Sequence, residues 1–186
     1  PTTTPAPPDG IALPPAGARF DYQIGEAYEP PPGTAIVSRD REAAPAPGLY
    51  NVCYVNAFQA QPHELPWWKD THPDLLLRDA GGDYVVDGAW DEVLLDISSD
   101  TTRRALAEVV GDWIDGCAAD GYDAVEPDNL DSYTRSDDLL DQDDAVAFAT
   151  LLAARAHAAG LAIAQKNDTD MAPRADTVEF DFAVAE

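Results

Sequence analysis

Residues 122–131 read Y-D-A-V-E-P-D-N-L-D, and this stretch decides how the rest of the chain is understood. It opens as a short apolar strand and closes on Glu126, Asp128 and Asp131, with Asn129 between the two aspartates. Side chains alternate along a strand, so Ala124, Glu126 and Asp128 share one face and Val125 and Pro127 the other. At a rise of roughly 3.3 Å per residue, the two carboxylates Glu126 and Asp128 point the same way about 7 Å apart. Pro127 has no N–H to give to a ladder, which places the acidic pair where the strand leaves its sheet. Like charges stacked there work against stability, so the arrangement marks a candidate site.

Working outward, the flanking segments alternate in kind. Upstream, residues 20–25, 34–38 and 49–57 carry strand patterns, and residues 93–98 (V-L-L-D-I-S) form a further strand-like run with Asp96. A helix follows, capped by Asp100 or Thr101, with Leu106, Val110, Trp113, Ile114 and Cys117 on one stripe and Gly121 as its stop. Downstream, Asp141 caps a second helix with Asp143 and Asp144 in its first turn, and Gly160 ends it. Residues 161–167 give another strand, residues 171–175 a short helical piece, and residues 178–186 (V-E-F-D-F-A-V-A-E) a last strand. Strand and helix in alternation predict parallel βα units. Asp128, Asn167 and Glu186 then fall at the C-terminal ends of successive strands, where such folds carry their sites.

The segment 58–91 is the least regular. It holds Trp67, Trp68, His63 and His72, and a long aromatic loop of this kind is either functional or packed upon itself. Trp67 and Trp68 are read both ways, as sugar-stacking platforms or as local packing. The histidines lack a metal-binding spacing, and no metal is expected. Nor is there a phosphate loop, a G-x-S-x-G elbow or a zinc motif, so no cofactor is expected.

Composition bounds the rest. With 186 residues, 45% of them hydrophobic, the chain suits one domain, here placed at 18–186 behind a Pro/Thr-rich linker at 1–17. The formal net charge is −24, with 35 acidic residues against 11 Lys and Arg. Such a surface repels nucleic acid and anionic membranes and attracts polycations, although solubility or salt adaptation is the favoured account of it. No apolar run is long enough to span a membrane. The linker composition is that of a mature exported protein, and Cys53 and Cys117, both on apolar faces, are expected as buried thiols.

Carboxylates on neighbouring strand ends are the equipment of glycoside hydrolysis, with a calcium site or capping loop as the alternative for the acidic cluster. In combination, F-D-Y-Q at 20–23, C-Y-V-N at 53–56, L-D-I at 95–97, G-Y-D-A-V-E-P-D-N-L-D at 121–131, A-H-A-A-G-L-A-I-A-Q-K-N at 156–167 and F-D-F-A-V-A-E at 180–186 resemble glycoside hydrolase family 114. That resemblance implies an α/β fold of the (β/α)8 TIM-barrel type, with the last two βα units absent from a chain ending at Glu186. It also implies an endo-α-1,4-polygalactosaminidase, with Asp128 as nucleophile and Glu186 as general acid/base. Asp21, Tyr54, Asp96, Glu126, Asn129, Asp131, Lys166 and Asn167 match the family's cleft positions. The implied partner is a cationic amino-sugar polysaccharide, outside the cell. The stretch A-F-Q-A-Q-P-H-E-L-P-W-W at 57–68 departs from the family's turn after the third strand. A catalytically silent carbohydrate-binding protein and a calcium-stabilised scaffold are the competing readings.

Overall fold

The computed structural model describes residues 10–186, so the first nine residues of the expected linker lie outside it. In chain order the strands and helices are β1 (Arg19–Gln23), β2 (Thr34–Asp40), β3 (Tyr50–Asn56), β4 (Gln59–Ala60), α1 (Leu65–Thr71), β5 (Val86–Asp87), β6 (Glu92–Leu94), α2 (Asp100–Asp120), β7 (Ala124–Asp128), α3 (Gln142–Ala158), β8 (Ala162–Lys166), α4 (Ala175–Val178) and β9 (Phe182–Val184). Six strands form one sheet in the order β1-β2-β3-β7-β8-β9, with every pair parallel. Chain order and spatial order coincide, as in a singly wound barrel, and the fold is that of a partial (β/α)8 barrel.

The two faces of the sheet separate by alternation. Cys53, Val55, Val125 and Ile163 point outward and join the main core with Leu106, Val110 and Ile114 of α2 and Phe148, Ala149 and Leu152 of α3. Val52, Ala124 and Ala162 point inward as a small second cluster. They sit level across three strands, since Val52 pairs with Ala124 and Ala124 with Ala162. Small side chains there leave room for the polar layers above, Glu126 and then Asp128.

Both long helices start as the sequence requires. Ser99, rather than Asp100 or Thr101, caps α2, in a reciprocal box with Thr102. Asp141 caps α3 in the same way with Asp144, and Gly121 closes α2 at φ 91°, where a Cβ would be strained.

The strand-like run at 93–98 begins in β6, which pairs antiparallel with β4 and β5 in a separate three-stranded sheet inserted after β3. Two expectations are corrected. The supposedly irregular stretch before β6 contains α1. The cysteines are not free thiols. Outward-facing Cys53 meets the apolar stripe of α2, and with Cα atoms 6.1 Å apart Cys53 and Cys117 form a disulfide.

Candidate active site

The inward residues of β7 rise in layers, and each layer has a partner on a neighbouring strand. Tyr54 stands beside Glu126 in register, and Asn56 beside Asp128. Glu126 is fully buried and takes three donors: Tyr22 OH at 2.6 Å, Ser38 Oγ at 2.8 Å and Lys166 Nζ at 2.8 Å. Lys166 also contacts Tyr22 OH and lies 3.3 Å from Glu186 Oε2. One ammonium from β8 thus links the carboxylate below to the carboxylate at the mouth.

Above that layer the groups open into a cavity of about 550 Å³. Asp128, Asn129, Asp131, Lys166, Asn167 and Glu186 line it from the strand ends, together with Tyr22 and Tyr54. Tyr54 OH donates to Asp128 Oδ2 at 2.7 Å, which fixes one oxygen of a carboxylate that lines the cavity. Asn167 Oδ1 accepts from the backbone N–H of Glu186 at 3.0 Å and so holds the chain where β9 ends. Asn129 and Asn167 both have left-handed backbones, φ 65° and 47°, a conformation asparagine tolerates better than most residues. Turning the chain sharply there aims both amides at the site.

The electrostatics follow from burial. Burial lowers the Lys166 pKa, but the Glu126, Asp128 and Glu186 charges outweigh it and the net direction is up, so Lys166 stays an ammonium. Burial also raises the Glu126 pKa, opposed by Lys166, Tyr22 and Ser38. Both phenols, Tyr22 and Tyr54, are pushed far above the ordinary phenol range by burial and by nearby carboxylates, so both remain donors.

Two residues expected here lie elsewhere. Alternation turns Tyr22 and Ile24 to the cavity and sends Asp21 away from it, where Gln23 and Tyr28 donate to its carboxylate. Asp96 sits outside the cavity lining and accepts from the Ser98 backbone and hydroxyl at 3.0 and 2.6 Å. The sequence reading also missed a wall. Asp87, Trp90 and Glu92, from the inserted sheet and its hairpin, line the cavity together with Arg135. Asn56 Nδ2 donates to Glu92 Oε2 at 2.9 Å, Asn129 donates to Asn56 Oδ1 at 2.9 Å, and Arg135 pairs with Asp87 at 2.7 Å and Asp131 at 2.9 Å. Asn56 was legible as sharing a strand face with Tyr54; Asp87 stands on a strand of two residues with no period to detect, and Glu92 stands one residue before the run read as a strand at 93–98.

Of the two tryptophans, Trp68 is fully buried and Trp67 is 41% exposed; the tryptophan that lines the cavity is Trp90, 71% exposed on the rim. Among the described residues, Glu42, His63 and Glu64 are a group with metal-ligating atoms within 4.8 Å of one another. Arg41 already occupies the Glu64 carboxylate, which makes the group an ion-paired cluster.

Similar structures share this architecture. Aspergillus fumigatus Ega3, solved as a complex with galactosamine, superposes with a TM-score of 0.75 at 24% identity, covering 94% of this chain and 69% of that one. The glycoside hydrolase domain of PelA from Pseudomonas aeruginosa gives 0.58 at 16% identity, covering 90% of this chain and 66% of that one. The alpha-galactosidase TtGalA from Thermus thermophilus gives 0.54 at 13%, covering 83% and 38%. No curated protein matches the chain. A family model does match, over residues 1–186, and the chain accordingly belongs to glycoside-hydrolase family GH114.

Proposed function

We propose that the protein is an exported, endo-acting glycosidase that cleaves α-1,4-linked galactosamine polymers with retention of configuration. The observation that carries this is the sharing of one cavity by Asp128 and Glu186, on the ends of β7 and just beyond β9, with Lys166 between their strands. Asp128 is the nucleophile: Tyr54 holds one of its oxygens, and the other attacks the anomeric carbon as the glycosidic C–O bond breaks. Glu186 gives its proton to the departing oxygen, then takes one from the water that releases the sugar from Asp128. A double displacement of this kind needs the two carboxyl groups about 5–5.5 Å apart.

Charge supports the substrate. Five carboxylates line the cavity (Asp87, Glu92, Asp128, Asp131 and Glu186) against the two cations Arg135 and Lys166. A polymer of free amino sugars is cationic and fits that field, and Ega3 was solved with galactosamine bound. Trp90 offers an indole on the rim for a sugar face. Export is supported by the Cys53–Cys117 disulfide, which persists in oxidising compartments. No helix among the described residues is long and apolar enough to cross a membrane.

The test uses deacetylated galactosamine polymer and an aryl galactosaminide with an activated leaving group. Asp128→Asn abolishes cleavage of both. Glu186→Gln abolishes polymer cleavage but keeps the first step on the aryl substrate, because a good leaving group needs no proton. Full polymer activity in either variant overturns the assignment. Wild-type protein that retains the polymer on a column without turnover is a carbohydrate-binding protein instead.

A further inference from the structure

The cavity that holds Asp128 and Glu186 does not end at its own rim. It shares Ile24 and Gln61 with an adjoining depression of about 330 Å³. That depression shares Glu42 and His63 with a third, about 410 Å³, walled by Trp67 and Trp113. The three hollows adjoin one another through common wall residues in a row that leaves the barrel mouth over the end of β1 and passes the end of β2.

The far end of that row is built as a platform. Trp67 is backed by buried Trp68, edge to face at 5.0 Å, and by Trp113 at 6.0 Å, so its indole is held in place. Arg41 lies 4.3 Å over the Trp113 ring and pairs with Glu64, so the one fixed cation at this end is already occupied. Glu42 is the opposite case: its side chain is 63% exposed, and Arg41 at 3.6 Å is its only ion-pair partner among the described residues. An exposed indole beside an accessible carboxylate suits a sugar ring bearing an ammonium, through ring stacking, cation–π attraction and an ion pair.

We propose that the polysaccharide track runs from the cleavage cavity over Ile24 and Gln61 to a distal subsite on Trp67 and Glu42, which takes a further amino-sugar unit of the same polymer. The proposal rests on the galactosamine-polymer reading. It gives that reading a length dependence, because only a chain long enough to reach Trp67 from the cavity gains the second contact.

The experiment compares wild type, Trp67→Ala and Glu42→Gln on a graded ladder of deacetylated galactosamine oligomers and on the polymer, reading kcat/KM against length. Wild-type kcat/KM rises with length to a plateau. Each variant loses about tenfold on the polymer and less than about twofold on the shortest oligomer cleaved, and Trp67→Phe restores most of the loss. Glu42 is surface-exposed, so its variant reads the subsite even if Trp67→Ala does not fold. Variants that keep the wild-type length profile overturn the distal subsite while the glycosidase reading stands. A wild type that cleaves neither oligomer nor polymer overturns the galactosamine reading and the track with it.

Discussion

Glu126 and Lys166 illustrate how much of this site depends on a buried pair, of which only Lys166 lines the cavity. Their side chains are buried and joined at 2.8 Å, and Tyr22 closes the group by touching both. Removing one partner of a buried ion pair leaves the other charge uncompensated, at a typical cost of about 3–5 kcal/mol, whereas replacing both with apolar groups is far milder. Glu126→Gln therefore destabilises the fold by about 3 kcal/mol, and Glu126→Gln with Lys166→Met recovers much of that in denaturant titrations. Activity follows a different order. Glu126→Gln lowers kcat less than Asp128→Asn does, since it acts on Lys166 and not on the sugar. A cycle in which the double variant is as unstable as the sum of the singles would show that the pair is not coupled.

Among the elements, the disulfide between β3 and α2 is the strongest single tie. It closes a span of 64 residues that contains the whole inserted sheet. The entropy of that loop in the unfolded chain corresponds to about 4 kcal/mol. Urea titration of the oxidised protein against the Cys53→Ala/Cys117→Ala variant should show a loss of about 3–4 kcal/mol, and equal midpoints would mean the tie is idle. The bridge was not legible in the sequence, because two apolar positions read alike as thiols until their strand and helix are in contact. The barrel strands and both long helices were legible, since a period of 2 or 3.6 runs through each of them and caps mark the helix ends. Strands β4 and β5, at two residues each, are too short to show a period, and Glu92 stands just before the apolar run that marked β6, so the wall bearing Asp87 and Glu92 went unread. Asp21 lies off the cavity lining for another reason. Its expected place there followed from family resemblance, while the alternation of its own strand already turned Tyr22, not Asp21, to the cavity.

At the scale of the whole molecule, a net charge of −24 and an acidic cavity would both act on the cationic polymer proposed as substrate. Exposed charges are screened over about 10 Å at 0.1 M salt and about 3 Å at 1 M. Raising salt across that range should increase KM for the galactosamine polymer several-fold and leave kcat nearly unchanged; a salt-insensitive KM would remove charge steering from the account. The inserted sheet gives this molecule a division of labour. The carboxylates proposed for bond cleavage stand at the ends of barrel strands, whereas Asp87, Trp90 and Glu92 arrive on an inserted hairpin that enters the chain between β3 and α2. Descent with modification can therefore rewrite one wall, residue by residue or by exchange of the hairpin, while the reacting groups keep their places. Members of the family would be expected to differ first in what they accept and last in how they cut.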